Sequence, residues 1–198
     1  QQVYCPDVCL DFAIEFFKRH ADQPFYFYFP THLIHGPILR TPDSKGGKDC
    51  YEDNVAYLDK QVGALVGALD KLGLREKTAI VFTGDNGTAT FGSNRSTLNG
   101  RRISGMKGTL LEGGSRVPLI ANWKGTVAEG KVLDDLVDFT DFFATFADLA
   151  GARPPEGVKL DGRSFAPRLR GEKGNPRDSV FVQLGAKWYV RDREWKLT

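Results

Sequence analysis

The chain has 198 residues, enough for one large domain or one domain with a small appendage. With 41% hydrophobic and 26% charged residues it has the composition of a globular protein. A formal net charge of +2 offers no footprint for a nucleic acid or a membrane surface, and no apolar run is long enough for a membrane-spanning helix.

The chain opens Gln1-Gln2-Val3-Tyr4 without a signal-peptide pattern, and its one methionine is Met106, so we expect a processed chain or a piece of a longer one. Cys5, Cys9 and Cys50 are an odd set without a CxxC. That spacing supports neither a disulfide framework nor a zinc site, and all three are expected to pack as small hydrophobes. Residues 7–20 predict a helix: Val8, Phe12 and Phe16 recur at helical spacing, Pro6 and Asp7 suit its start, and Arg19 and His20 its end. Phe25-Tyr26-Phe27-Tyr28-Phe29, bounded by Pro24 and Pro30, predicts a strand buried on both faces, with a sugar-stacking aromatic surface as the other reading of the row. His32 and His35 follow directly, beside Gly36-Pro37. Each could cap the loop through a backbone carbonyl, or serve an anion or a proton transfer near neutral pH.

Residues 40–48 form a polar loop that could belong to a substrate rim. Residues 49–72 predict the longest helix, with Tyr51, Val55, Leu58, Val62, Leu65, Leu69 and Leu72 as an apolar stripe and Gly73 as its stop. Residues 79–82 predict a short buried strand that runs into Gly84-Asp85-Asn86-Gly87. Asp-Asn-Gly is an ordinary turn sequence. Asp85 and Asn86 also offer hard oxygen donors of the kind that hold Ca²⁺ or Mg²⁺, placed where open α/β sheets bind ligands.

Residues 88–104 read as a long polar loop carrying Arg95, Arg101 and Arg102. Residues 105–118 hold Lys107 among glycines, either as a solvated surface lysine or as a point charge placed for an anion. The segment does not match a Walker loop. Residues 119–123 predict another strand, and residues 138–150 a helix with Phe139, Phe142, Phe143, Phe146 and Leu149 on one side. Beyond Pro154-Pro155, Leu169, residues 180–182 and residues 188–190 suggest short strands of a small second subdomain. The predicted fold class is therefore α/β: a mixed, mostly parallel sheet flanked by helices over residues 1–155, then the beginning of an antiparallel subdomain over residues 156–198.

Four segments in this order resemble the sulfatase family of the alkaline phosphatase superfamily. They are an aromatic strand followed by His35-Gly36-Pro37, a strand into Gly84-Asp85-Asn86-Gly87, the Lys107-Gly108-Thr109/Glu112-Gly113-Gly114/Arg116-Val117-Pro118 box, and the Asp138-Phe139-Thr140-Asp141 helix. The box is the most specific, and the resemblance runs from about residue 7 to residue 196. The Cys(or Ser)-x-Pro-x-Arg motif that carries the family's formylglycine nucleophile is absent from the 198 residues, as is the amino-terminal Asp-Asp metal pair. The resemblance thus implies the central and C-terminal part of a sulfatase, with the nucleophile upstream.

It further implies Asp85 and Asn86 as metal ligands, for Ca²⁺ or else Mg²⁺. Lys107 becomes a sulfate-binding catalytic residue, and His35 a catalytic and substrate-binding residue near the leaving oxygen. His32 has no clear match and is expected either to support a residue of the site or to be structural, while Glu112 and Arg116 become scaffold for the Lys107 loop. The expected substrate is a sulfated small molecule or sulfated glycan. The intact protein is expected in the periplasm or secreted, and the piece alone is expected to be inactive and to self-associate through surface that the missing half would cover. Two other readings stay open at this point: a phosphonate or phosphate ester hydrolase of the same superfamily, and a non-catalytic α/β binding module.

Overall fold

The computed structural model describes residues 3–47 and 50–198. Lys48 and Asp49, where the polar loop was expected to end and the long helix to begin, lie outside the described residues. The chain divides into two compact units, one ending at Thr78 and the other spanning Ala79–Thr198.

The first unit is two helices and an aromatic segment. Helix α1 spans Cys5–Arg19, with Pro6 in its first turn and Lys18 and Arg19 in its last, where the helix dipole favours them. Ala13 and Phe17 are buried, and α1 packs against helix α2, Tyr51–Lys71. Helix α2 closes in a Schellman motif: Leu74 N–H donates to Leu69 O, Gly73 N–H donates to Asp70 O, and Gly73 takes a φ of 68°.

Of the predicted stripe, Leu69 is buried, Tyr51, Leu58, Val62, Leu65 and Leu72 are half-buried, and the most buried positions extend to polar neighbours. Asn54, Tyr57, Gln61 and Leu69 are buried, whereas Val55 is exposed. Polar side chains join that face because their donors find partners, which lowers the cost of burying them, although Gln61 Oε1 has no partner among the described residues. Asn54 donates to the carbonyls of Leu39 and Cys50, and Gln61 and Tyr57 both donate to the Asp7 carboxylate.

The aromatic segment 25–29 is extended but belongs to no sheet among the described residues, which corrects the expected doubly buried strand. Phe25 and Phe27 meet Phe16 and Phe17 of α1 with ring centroids 4.8–5.7 Å apart, while Tyr26 and Tyr28 stay exposed. One face packs and the other is wet, so the period is two.

The second unit carries the sheets. Strand β1, Ile80–Thr83, pairs antiparallel with β4, Leu119–Asn122, in the register Ile80↔Asn122 to Thr83↔Leu119. β1 is half-buried throughout rather than fully buried. Between them, the expected long loop 88–104 contains a helical turn α3, Thr90–Ser93, and a hairpin of β2, Thr97–Leu98, with β3, Arg101–Arg102. Asn99 and Gly100, at φ 52° and 75°, make its two-residue type I′ turn.

The turn α4, Glu112–Ser115, precedes β4, and helix α5 spans Asp141–Leu149. Asp141 and Thr145 are its buried residues, while Phe139 and Phe143 of the predicted stripe are exposed. Leu169 ends a helical turn α6, Ala166–Leu169, not a strand. Strands β5, Val180–Leu184, β6, Lys187–Arg191, and β7, Lys196–Leu197, form the expected C-terminal antiparallel sheet. Every ladder among the described residues is antiparallel, so the parallel pairings expected of a mixed sheet are not among them.

Candidate functional site

The second unit ties three loops into one backbone knot. β1 ends at Thr83 and delivers Gly84-Asp85-Asn86-Gly87 at its carboxyl end. Gly87 N–H donates to Gly114 O at 3.0 Å, and Lys107 N–H donates to Thr88 O at 2.9 Å. Gly113 N–H donates to Ser104 O at 2.7 Å. These approaches leave no room for side chains. A β-carbon on Gly87 would lie 1.9 Å from Gly113 O, and one on Gly114 would lie 2.1 Å from Thr109 O. Both neighbours are backbone, so only glycine fits at either position.

Asp85 is exposed and Asn86 half-buried. The Asn86 amide donates to Oδ1 of Asp85, which leaves Asp85 Oδ2 and Asn86 Oδ1 as acceptors available to an ion. Two adjacent oxygen donors fit part of a Ca²⁺ shell, which takes about six to eight. Lys107 is exposed, and its ammonium has no ion pair among the described residues. A recess of about 280 Å³ lined by Ser93, Asn94, Arg102, Ile103, Ser104 and Gly105 opens in the segment leading to Lys107.

The loop is held from the C-terminal sheet, through contacts absent from the sequence reading. Glu112 receives Arg191 at 2.8 Å and Lys196 at 3.5 Å, and Arg116 only at 3.7 Å. Tyr189 donates to Ser115 Oγ at 2.7 Å, and Lys196 donates to Leu110 O at 2.6 Å. Lys196 also lies 3.8 Å from the centre of the Tyr189 ring. Glu112 and Arg116 are thus near each other as expected, but Arg191 and Lys196 are the closer partners of Glu112.

Of the four expected site residues, the second unit brings together the loops of Asp85, Asn86 and Lys107. His35 belongs to the first unit, where it is exposed and its Nδ1–H donates to Gly36 O at 2.8 Å. That bond engages Nδ1 and leaves Nε2 as the nitrogen not used by Gly36.

His32 lies beside two cysteines of α1. One of its ring nitrogens and the sulfurs of Cys5 and Cys9 all lie within 4.8 Å of one another. This is the sole gathering of three or more His, Cys, Asp or Glu ligand atoms among the described residues. Cys50 is buried as expected, but Cys5 is exposed and Cys9 half-exposed, so neither is simply a core hydrophobe. The i,i+4 spacing of the two cysteines was visible in the sequence, whereas the approach of His32 was not.

Comparison with known proteins gives a consistent picture. A family model described as Sulfatase matches residues 3–152. Human arylsulfatase A is 39% identical over 165 residues, covering 82% of this chain and 32% of that protein. The crystal structure of PsFucS1 sulfatase from Pseudoalteromonas sp. superposes with a TM-score of 0.82 at 30% identity, covering 96% of this chain and 40% of that one. The structure of Ps i-CgsB in complex with k-i-k-neocarrahexaose gives a TM-score of 0.84 at 29% identity, covering 99% of this chain and 46% of that one. The chain spans about a third of the length of the curated relatives it matches.

Proposed function

Because the chain belongs to the sulfatase family, we propose that it supplies part of the catalytic centre of an enzyme that hydrolyses sulfate esters to an alcohol and inorganic sulfate. Asp85 and Asn86 would contribute two ligands of a Ca²⁺ ion. When bound, that ion would act as a Lewis acid on a sulfate oxygen. The nucleophile in this reading is a formylglycine carried upstream of these residues.

Lys107 binds the sulfate. Its stem is exposed, its backbone is pinned, and its ammonium is not spent on a carboxylate, so it can meet charge that builds on a non-bridging oxygen. His35 serves the leaving group. With Nδ1–H engaged by Gly36 O, His35 as an imidazolium carries a second proton on Nε2, which passes to the departing alkoxide as the S–O bond breaks and leaves the neutral Nδ1–H ring. The substrate class is a sulfated small molecule or a sulfated glycan.

The observation that carries this reading is the bond from Lys107 N–H to Thr88 O. It ties the lysine loop directly to the loop of Asp85 and Asn86, so a metal ligand pair and an anion-binding cation share one rigid frame.

The test uses the full-length enzyme with nitrophenyl sulfate. Lys107→Ala and Asp85→Ala are each expected to lower kcat/KM by about 10²–10³-fold, the scale of one lost preorganised charge-stabilising group. A Lys107→Ala enzyme that keeps nearly full activity would sink the assignment. The 198-residue chain alone, lacking the nucleophile motif, is expected to show no turnover; measurable hydrolysis by it would refute the upstream nucleophile.

A further inference from the structure

Cys5 and Cys9 are four residues apart in the first turns of α1, so their side chains share one face of the helix. The segment after α1 runs back along it. Phe25 and Phe27 grip Phe16 and Phe17 near the helix end, and His32 then arrives beside Cys5 and Cys9 at the helix start. Leu33 is buried, and its N–H donates to Thr31 Oγ1 at 3.2 Å.

The two sulfurs and the imidazole nitrogen lie within 4.8 Å of one another. In tetrahedral zinc coordination, with Zn–S and Zn–N bonds of about 2.3 Å and 2.0 Å, neighbouring ligand atoms are about 3.5–3.8 Å apart. The gathered set exceeds that by at most about one ångström, a distance that rotation of exposed side chains closes. The donor set is soft: two thiolates and an imidazole select Zn²⁺ or a similar thiophilic ion. Ca²⁺ takes oxygen, so this group is chemically distinct from Asp85 and Asn86. Three protein ligands leave a fourth position for water.

We infer that Cys5, Cys9 and His32 form a binding site for a thiophilic metal ion, with Zn²⁺ as the ion whose bond lengths and coordination fit the set. Ligation requires both sulfurs as thiolates, so binding releases protons and strengthens as pH rises.

The test is a Co²⁺ titration of the reduced, chelator-stripped protein. One equivalent is expected to bind, with thiolate-to-cobalt charge-transfer absorption and the d–d bands of a tetrahedral ion, and Zn²⁺ should displace it. Cys5→Ser and His32→Gln alter exposed side chains, so they test ligation without unfolding the core. Each is expected to weaken binding by more than about tenfold. Cys50→Ser, at the buried start of α2, is expected to bind as the parent does. Absence of the charge-transfer band would overturn the inference. So would undiminished binding in Cys5→Ser, or loss of binding in Cys50→Ser while Cys5→Ser retains it. A Cys5–Cys9 pair that oxidises readily, yet binds no cobalt once reduced, would show a redox pair in place of a metal site.

Discussion

Replacing Arg177 by Met tests the hub of the second unit. The Asp141 side chain is 3% exposed and receives four hydrogen bonds. Arg163 N–H donates at 2.7 Å, Asp138 N–H at 2.8 Å, Arg177 Nε at 2.8 Å, and Arg177 Nη2 supplies the fourth. Arg177 also reaches Thr140 Oγ1 at 3.0 Å and Asp161 O at 3.2 Å, so one ion pair joins the start of α5 to residues 161–177. Arg177→Met removes two charge-assisted bonds to Asp141, worth about 1.5–3 kcal/mol each, and leaves a buried carboxylate with backbone donors only. Breaking a buried pair from one side costs about 3–5 kcal/mol, and the slight exposure of Arg177 lets water recover part of that. We therefore expect a loss of about 3–4 kcal/mol, a large share of a typical stability of about 5–15 kcal/mol.

The assay is urea unfolding followed by tryptophan fluorescence, which reports this unit because Trp123, Trp188 and Trp195 all lie in it. The acid branch gives a second readout. Burial alone would raise the Asp141 pKa, but the Arg177 bond and the backbone N–H groups of Arg163 and Asp138 outweigh it and hold the carboxyl below its ordinary value. A depressed folded pKa adds stability that is complete above the unfolded value of about 3.9 and is lost as pH falls through the folded value. Without Arg177 the carboxyl protonates at higher pH. The gap between parent and variant should therefore narrow as pH falls below about 4. A variant within about 1 kcal/mol of the parent at neutral pH, the scale of an exposed pair, would refute the reasoning. So would a gap that does not change in acid.

Gly87→Ala places a β-carbon 1.9 Å from Gly113 O and 2.6 Å from Gly114 Cα, and should cost at least about 1–3 kcal/mol in the same fluorescence assay; a variant as stable as the parent would show that these loops do not touch. Glu112→Gln loosens Arg191 and Lys196 from a half-exposed carboxylate, so we expect a loss of only about 1 kcal/mol that shrinks in high salt. A salt-independent loss would argue against the ion pairs. Tyr57→Phe deletes the hydroxyl that meets both Asp7 oxygens at 2.8 and 2.9 Å, and should cost about 1.5–3 kcal/mol by circular dichroism of the helices. Burial, then the Asp7 bond, raises the Tyr57 pKa, so its contribution fades as pH climbs above about 10, and an ultraviolet titration of the parent should show a late-ionising phase that changes when Tyr57 is replaced.

Local pattern was enough for elements whose stability is local. Both long helices, the stop at Gly73, strands β1 and β4 and the C-terminal hairpin were legible from periodicity and punctuation. Residues 25–29 misled because aromatic character alone suggested burial, although the alternation of Phe with Tyr already separated the packed face from the wet one. The Asn99-Gly100 turn was equally readable and was hidden by treating a long polar stretch as one loop. Other features could not be read at all. Asn54 and Gln61 are buried on α2 because Leu39, Cys50 and Asp7 happen to face them, and no helical period encodes that. Likewise, nothing near Glu112 announces Arg191 or Lys196, since the pairing depends on how the C-terminal sheet folds back.

The glycine-rich box illustrates how structure narrows a chemical assignment. Four of its side-chain positions are already engaged: Thr109 Oγ1 donates to Met106 O at 2.7 Å, Glu112 holds Arg191 and Lys196, Ser115 accepts from Tyr189, and Arg116 leans on Glu112. Gly113 and Gly114 are consumed by backbone contact. Lys107 remains, fixed at its amide and unengaged at its ammonium among the described residues. A structural lysine would lose stability on truncation, because its charge would be answering another. An exposed, unpaired one should lose almost none, within about 0.5 kcal/mol. Lys107→Ala therefore separates the two roles in one protein. Large loss of sulfate ester hydrolysis in the full-length enzyme with unchanged urea unfolding identifies a residue kept for the substrate. Loss of both together would make it a scaffold residue and return the anion-binding role to another cation.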